Sequence, residues 1–435
     1  MPHSFRVRLI PLLVATLISA SGFKASAQSM SHPDSISPLK PNPYLKHQEP
    51  WRWDIRSQVF LRAGIVVINR REYREERTGS FSIEDFEYVY PIVREGGHYW
   101  SPNEDVDATL RIDDAEFTPK PTILQTPDSH SPYAWWRSNQ RDKRTHQLHF
   151  TQLSHIVCAD TVFNEELAKQ IPWPDAWPAD AERFLSPIVD QVHDPVDPQA
   201  QDHLARLVDG WMEGNDPKSI DQVTLAKFLT GKVIEHVRVR RGSMLLAPTV
   251  HTQTNDDVLQ GFSVFPLSSW SGFIVRSADQ VAIEPAGTAL DLSTMLTAVL
   301  RTAGIPARLV ICYDNSQTVQ VEERVRAIVE FAMYDKERDQ TLWIPVDPQE
   351  LRDNGRRSQY YKQPWLYFGT HDQLRNFVPL AYYFHPPVNY KAYGYPGLFG
   401  LKTSPDIGDR ISQILSIDVI NTPVRGDDPK RPSSP

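Results

Sequence analysis

The stretch Gly287–Arg308, GTALDLSTMLTAVLRTAGIPAR, decides the fold of this chain. Thr288 followed by Asp291 predicts a capping box at the start of a helix. Gly304 and Pro306 predict where that helix ends. The run 309–313 that follows is apolar and of strand type. Apolar residues recur at the i, i+3, i+4, i+7 and i+8 spacing of a helix with one buried face, namely Leu292, Met295, Leu296, Val299 and Leu300.

The segments around this helix continue the same mixed pattern. Helical spacing predicts further helices at 198–213, 221–237 and 277–283. Strand-type runs at 326–333 and 341–346 predict a β-hairpin with a charged turn between them. A long buried helix that leads into a buried strand and a hairpin indicates an α+β core.

The first part of the chain has a different pattern. Short runs rich in Val, Ile, Phe and Tyr alternate with turn-rich or charged segments, at 56–70, 81–93, 108–112 and 147–158. Such spacing is typical of a β-sandwich-like domain. The predicted fold class is therefore α+β, with an N-terminal β-sandwich-like domain followed by the core.

Composition shifts predict the organisation of the whole chain. The predicted segments are a signal peptide (1–27), a disordered lead-in (28–50), a β-rich domain (51–160), a linker (161–197), the core (198–355), an aromatic and Pro-rich extension (356–424) with a final strand at 411–424, and a disordered tail (425–435).

The N-terminus has the three parts of a secretory signal. Arg6 and Arg8 precede the apolar run 9–20, and Ala25-Ser26-Ala27 is a small-residue cleavage site. The apolar run is too short to cross a hydrocarbon layer of about 30 Å as a helix. We therefore expect a secreted or periplasmic protein with no stable membrane span after cleavage, and an uncleaved anchor is the alternative.

Charge and cysteine content limit the possible functions. Residues 1–27 carry three basic side chains and no acidic one, so cleavage changes the formal net charge from −8 to −11. That balance argues against nucleic acid as a partner. Cys158 and Cys312 could pair in an oxidising compartment or remain two buried thiols, and the sequence leaves both open.

Two local patterns resemble those of the transglutaminase-like superfamily, whose fold is papain-like. The family's helix opens with Gly-x-Cys and closes with Leu-Arg-x-x-Gly-Ile-Pro-Ala-Arg, which matches Gly287 and 300–308 here. The second pattern, His-x-Trp-x-Glu followed by Trp-x-x-x-Asp-Pro, matches Glu330, Trp343 and 347–348. The resemblance covers about 198–348 and implies a papain-like core.

The positions that carry the family's chemistry differ. The resemblance implies a Cys nucleophile at position 289 and a His at position 326, where this chain has Ala289 and Arg326. Only the third position is retained, as Asp347. Alanine has no nucleophile, and a guanidinium stays charged and cannot act as a base. This pattern predicts a pseudoenzyme that binds a peptide or a cell-envelope component.

Two alternatives to the pseudoenzyme remain. One is a purely structural cell-envelope protein in which the former cleft is filled, and the other is an active enzyme. A relocated thiol, Cys312, could work with one of the nearby or downstream histidines, which would make the chain an active cysteine acyltransferase or amidase. These histidines are His251, His371 and His385. Ser293, one turn after Ala289, has no evident base.

The replaced positions also allow two interpretations. Arg326 and Asp347 could form a structural ion pair in place of the lost dyad. Together with Thr288 at the helix N-terminus, they could instead form an anion or ligand site. No cofactor and no metal is predicted, since the sequence has no EF-hand-like acidic loop. A calcium site of another kind stays open.

Overall fold

The computed structural model describes residues 42–63, 65–69, 72–76, 81–101, 107–113, 115–117, 120–125, 132–186, 198–239, 245–246, 269–270, 272–273, 276–316, 324–354, 363–382, 399–404 and 411–422. The predicted signal peptide (1–27), the tail (425–435), His251 and His385 lie outside these residues.

The strands are, in chain order, β1 (Leu45–Ala63), β2 (Ile65–Asn69), β3 (Glu72–Glu76), β4 (Phe81–Pro91), β5 (Tyr99–Trp100), β6 (Asp107–Ile112), β7 (Ala115–Phe117), β8 (Thr122–Gln125), β9 (Pro132–Thr145), β10 (Gln147–Phe163), β11 (Arg238–Val239), β12 (Leu245–Leu246), β13 (Ser269–Trp270), β14 (Gly272–Phe273), β15 (Ala286–Gly287), β16 (Ala307–Asp314), β17 (Val325–Asp335), β18 (Gln340–Val346), β19 (Phe377–Ala381), β20 (Gly400–Ser404) and β21 (Ile411–Thr422).

The helices are α1 (Glu165–Ala168), α2 (Ala179–Glu182), α3 (Pro198–Met212), α4 (Gln222–His236), α5 (Ala278–Ile283), α6 (Ala289–Thr302) and α7 (Pro348–Asp353), with 3₁₀ turns at Pro217–Ser219 and Leu374–Asn376. Within the described residues, none of these helices combines the length and the apolar character that a membrane crossing requires.

The N-terminal part is a β-sandwich, as its alternating pattern predicts. One sheet has the strand order β13-β21-β1-β10-β6-β7, with β5 also paired to β10, and the other has the order β20-β4-β9-β8. Aromatic rings from both sheets fill the space between them. The centroids of Tyr88 and Phe150 lie 3.8 Å apart, and Trp136 packs against both rings.

The boundaries of the sandwich differ from those predicted. β1 begins at Leu45, so the disordered lead-in does not extend to residue 50, and β10 continues to Phe163, inside the predicted linker. That linker also contains α1 and α2. The predicted C-terminal extension contributes β20 and β21 to the two sheets, with Leu415 opposite Val59. Pairing between strands so far apart in sequence leaves no local signal, which is why the sequence did not predict it.

The core is built on a four-stranded antiparallel sheet with the order β18-β17-β16-β19, against which α6 packs. Helices α3, α4, α5 and α6 begin and end within one residue of the predicted positions. Thr288 Oγ1 accepts the Asp291 N–H at 3.2 Å, and Asp291 Oδ2 accepts the Thr288 N–H at 2.7 Å. Gly304 ends the helix with φ of 83°, a left-handed conformation that glycine adopts without strain.

The central helix is buried on all sides, whereas its pattern predicts one buried face. Every residue from Leu290 to Arg301 is buried, because α3, α4, α5 and α7 surround the sides of α6 that the sheet leaves open. Some of its small polar residues are buried with their hydroxyls bonded to the helix itself. Thr297 Oγ1, for example, donates to the Ser293 carbonyl at 2.9 Å. Because these polar residues interrupt the apolar pattern, the spacing of apolar residues alone predicted one buried face and not a fully buried helix.

A buried ion pair joins the sandwich end to the core. Lys227 of α4 and Glu165 of α1 are almost fully buried, with Nζ and Oε2 2.6 Å apart. Lys227 Nζ also donates to the Gln363 carbonyl at 2.6 Å, and Glu165 Oε1 accepts the Trp365 N–H at 3.0 Å. This one pair therefore fixes α1, α4 and the segment after α7 to one another.

Replacement of Lys227 by Met should lower the free energy of unfolding by about 3–5 kcal/mol, because it leaves a buried carboxylate without its cation. Urea denaturation measures the change. The double variant with Glu165→Leu should recover part of the loss, since the uncompensated charge is then gone. Lys169→Met removes an exposed pair with Glu166 and should leave stability nearly unchanged. Equal losses in the two Lys variants would contradict the role of the buried pair.

Candidate functional site

Three elements bring the sequence-predicted positions into one region. Ala289 is the first residue of α6, Arg326 is the second residue of β17, and Asp347 is the N-cap of α7. Ser293, one turn after Ala289, donates from Oγ to the Ala327 carbonyl at 3.0 Å. This bond holds the first turn of the helix against β17, beside Arg326.

Arg326 is paired at each of its guanidinium nitrogens. Nε lies 3.2 Å from Asp314 Oδ2, Nη1 lies 3.1 Å from Asp347 Oδ2, and Nη2 lies 2.6 Å from Glu350 Oε1. The guanidinium also lies 4.9 Å from the ring centroid of Phe377. Since the Arg326 side chain is only 12% exposed, these carboxylates, and not water, are the main partners of its charge. Their attraction outweighs burial and raises the pKa of Arg326, so it stays charged.

The carboxylates around Arg326 differ in their titration. Burial alone would raise the pKa of Asp347, but Arg326 and His371 outweigh it and hold that pKa below its ordinary value. Burial raises the pKa of Asp314, although Arg326 opposes the rise. Asp347 also accepts the backbone N–H groups of Gln349 and Glu350, both at 3.0 Å. Asp347 is therefore held as a carboxylate by a cation and by a helix N-terminus.

These contacts bear on the two interpretations of the replaced dyad. The structure brings Arg326 and Asp347 together as an ion pair within a larger network. The Thr288 hydroxyl takes part in the capping box of α6. Three internal carboxylates already surround the one guanidinium, so a further anion would enter a region with surplus negative charge. The geometry thus favours the structural ion pair, and the anion site stays a prediction.

His371 is the histidine that the structure places nearest to the retained acid. Its Nε2 lies 3.5 Å from Asp347 Oδ2, and its Nδ1 accepts the Gln373 N–H at 3.1 Å. The ring is 2% exposed and packs edge-on against Tyr367 and Phe377. A base needs one nitrogen free to receive the proton of a nucleophile, and Nδ1 is already occupied. Because Nδ1 accepts an N–H, the neutral ring carries its proton on Nε2, which faces Asp347, and neither nitrogen is free to act as a base.

Cys312 lies in β16 directly opposite Arg326, but it is fully buried. Burial and neighbouring charged groups raise its pKa well above the ordinary value of a thiol. Its Sγ donates to the Val310 carbonyl at 3.7 Å. Cys158 is likewise buried and free, so the structure has two unpaired thiols. A thiol that stays protonated is a poor nucleophile, which disfavours Cys312 as a relocated one.

Sequence reasoning missed two partners of Arg326 and the role of the remaining motif residues. Asp314 is the last residue of β16 and belongs to no recognisable motif, and Glu350 is one exposed-looking acid among several. Glu350 could have been found, because it follows Asp347 by three residues in the first turn of a helix. Among the described residues, no group of three or more His, Cys, Asp or Glu side chains is arranged to hold a metal ion.

The other motif residues meet in a second buried cluster. Arg308 Nε lies 2.8 Å from Glu330 Oε2, and both side chains are nearly inaccessible to solvent. The guanidinium of Arg308 lies between two rings, 3.9 Å from the centroid of Trp343 and 4.4 Å from that of Tyr382. Glu330 Oε1 accepts the Gly97 N–H at 2.6 Å. These motif positions therefore pack the core against the 95–99 loop of the sandwich.

An open cleft lies near the tip of α6, although none of the described residues that line it belongs to α6 or to the Arg326 network. It is bordered by the end of α4, by β11 and by the end of α7, with a volume of about 560 Å³. β11 pairs in parallel with β15, which places Val239 opposite Gly287, two residues before Ala289. The cleft has basic, acidic and apolar side chains, among them Arg238, Ile234 and Asp353.

Replacement of Arg326 by Met should cost about 3–5 kcal/mol of unfolding free energy at pH 7, because it leaves Asp314, Asp347 and Glu350 without their cation. The loss should shrink as the pH falls towards about 4, because the uncompensated carboxylates of the variant become neutral there. In the wild type, the stability from the depressed pKa of Asp347 is present above the unfolded-state value of about 4 and falls away only below it, which would reduce the difference further at lower pH.

Urea denaturation at pH 7 and near pH 4 measures this difference. Lys336→Met removes an ion pair with Asp175 that is exposed on both sides and serves as the control that should change little at either pH. A deficit for Arg326→Met that is the same at both pH values would contradict the network.

Comparison with known proteins agrees with the core described above. Residues 271–348 match the model of the transglutaminase-like superfamily. No curated protein matches the chain significantly. A candidate cysteine protease from Cytophaga hutchinsonii is 11% identical, with 87% of this chain and 92% of that one covered and a TM-score of 0.45.

Two further solved structures are similar over smaller parts of the chain. The periplasmic domain of TgpA from Pseudomonas aeruginosa is 14% identical, with 69% of this chain and 90% of that one covered and a TM-score of 0.25. A candidate protease from Parabacteroides distasonis is 11% identical, with 60% and 59% covered and a TM-score of 0.18. The family match at residues 271–348 takes in α5, α6 and the strands β16, β17 and β18, and it is this part of the chain that is similar to the transglutaminase-like superfamily.

Proposed function

We propose that this protein is a secreted or periplasmic pseudoenzyme, whose transglutaminase-like core binds a peptide or cell-envelope partner without transforming it. The observation that carries the proposal is the state of Arg326. It occupies the position that the family pattern gives to the base, and each of its guanidinium nitrogens is paired with a carboxylate. The signal-peptide pattern of residues 1–27 supports the location.

The chemistry of acyl transfer explains why Arg326 decides the matter. A thiol at a helix N-terminus becomes a nucleophile when an imidazole takes its proton and later returns it to the leaving group. A guanidinium cannot alternate between two protonation states near neutral pH. Ala289 offers no thiol. His371 has its second nitrogen engaged by Gln373, so no described group beside the helix tip has taken over the proton transfer.

The cleft beside the helix tip is the proposed binding surface. Its lining combines apolar side chains with Arg238 and Asp353, which suits an extended peptide better than a uniformly charged polymer. It borders β11 and β15, whose short parallel pairing leads directly to the tip of α6.

The double reversion Ala289→Cys with Arg326→His should restore a reactive thiol. The introduced imidazole would face Asp314, Asp347 and Glu350, which favour its protonated form and so lower the pKa of the introduced thiol below its free value of about 8.5. Labelling with a thiol-directed acyl probe, followed by mass spectrometry across a pH series, measures that pKa. The wild-type chain should not be labelled under native conditions.

The two natural thiols serve as the internal control, since both are buried. Rapid native labelling of Cys312 in the wild type would overturn the proposal in favour of the active cysteine acyltransferase or amidase. An introduced thiol that titrates near its free value would show that the arrangement around the tip no longer supports the chemistry of the family.

Binding is tested on an array of synthetic hexapeptides probed with the purified wild-type chain. Val239→Arg fills the cleft with a long charged side chain and should reduce retention on the array by about tenfold or more, since it removes apolar contact and blocks access. Lys336→Glu alters an exposed site on the β17–β18 turn and is the control. Equal retention by wild type and Val239→Arg would contradict the cleft as the binding surface and leave a purely structural role.

A further inference from the structure

A small, partly open cavity lies at the edge of the β-sandwich, where it meets β19 of the core sheet. It is bordered by β1 and β10, by the residues around the end of β4, by Ser101 and by β19. Its volume is about 40 Å³. A single water occupies roughly 10–15 Å³ on this measure, so the space holds about three waters or one group of about four heavy atoms.

The wall of this cavity carries polar side chains where the rest of the sheet face is apolar. Ser57 and Gln152 lie directly opposite each other in the register of β1 and β10, so both point between the two sheets. They are 4% and 5% exposed. Tyr90 donates from its hydroxyl to Ser57 Oγ at 2.7 Å. Ile55 and Ile156 lie on the same wall and are apolar.

The hydrogen bonding of this polar group is incomplete. Among the described residues, Gln152 Oε1 is buried and has no partner. A buried carboxamide oxygen without a donor costs about 1–3 kcal/mol, which points to a missing partner. A carboxamide can turn by half a rotation and exchange its oxygen and nitrogen. An occupant that both donates and accepts would therefore satisfy Gln152 in either orientation.

We propose that this cavity binds an acetamide-type group, with its amide paired to the Gln152 carboxamide and its methyl against Ile55 and Ile156. The volume of the cavity suits a group of about four heavy atoms. The Gln152 carboxamide favours an amide as its partner, and the apolar part of the wall favours a methyl group. The site lies in the sandwich and does not depend on the function proposed for the cleft.

Free acetamide is the probe, and acetone is its matched control, since acetone has the same shape and no N–H donor. Titration of the labelled wild-type chain, followed by the side-chain amide resonances of Gln152, should give saturable shifts with acetamide and none with acetone. Gln152→Leu should weaken acetamide binding by about tenfold, the equivalent of roughly one net hydrogen bond, as measured by backbone resonances around the cavity.

Gln58→Leu is the matched variant, because Gln58 follows Ser57 on the opposite face of β1 and bonds to Asp418. It should bind acetamide as the wild type does. If Gln152→Leu does not fold, Ser57→Ala tests the same wall. Equal responses to acetamide and acetone, or no saturable response in the wild type, would mean that the cavity holds only water and would overturn the proposal.

Two carriers distinguish the source of the group. N-Acetylglucosamine presents it on a sugar and N-acetylglycine on an amino acid, with glucosamine and glycine as controls that lack it. Saturable binding of either carrier supports the site and identifies the source. Binding of free acetamide with no binding of either carrier would mean that the cavity is closed to a tethered group and would overturn the proposal.

Discussion

The buried ion pair between Arg308 and Glu330 is the interaction on which the arrangement of this chain depends. Neither charge reaches solvent, so each needs the other and the hydrogen bonds around it. Arg308 Nη2 donates to the Glu95 carbonyl at 2.7 Å, and Glu330 accepts the Gly97 N–H. A Cβ atom at Gly97 would clash with the Trp343 carbonyl oxygen. The 95–99 loop can therefore lie this close to β18 only because residue 97 has no side chain. Removal of either charge would therefore disturb the junction between the sandwich and the core, in addition to breaking the ion pair itself.

This cluster gives the motif residues that the chain retains a structural role. Arg308 ends the Gly-Ile-Pro-Ala-Arg exit, and Glu330 and Trp343 belong to the second pattern. All three are used to join the core to the sandwich. None of them is required to move a proton or attack an acyl group. The match over residues 271–348 therefore includes residues whose contacts hold the core against the sandwich.

Features set by neighbouring residues, such as helix ends in the core, could be predicted from the sequence. Contacts between residues far apart in the chain could not. The capping box at Thr288 and the turn at Gly304 are set by neighbouring residues, so the bounds of α6 could be placed to within a residue. The pairing of β21 with β1 joins residues more than 300 positions apart and depends on the assembled sheet. The same distinction holds at the site. Asp347 was expected beside Arg326 because a motif carries it, whereas Asp314 reaches Arg326 only through the pairing of β16 and β17.

The distance between the Arg326 network and the Arg308–Glu330 pair determines whether residues of one can change without affecting the other. Arg326 and Glu330 are four residues apart on β17, so at about 3.3 Å per residue their backbone positions are roughly 13 Å apart. Side chains separated by more than about 10 Å and without shared partners usually contribute independently to stability. A base at position 326 can therefore be exchanged for a guanidinium without disturbing Arg308 and Glu330, provided that the new charge is balanced. Asp314, Asp347 and Glu350 supply that balance, so Arg326 could replace a reactive imidazole while the joint between sandwich and core stayed intact.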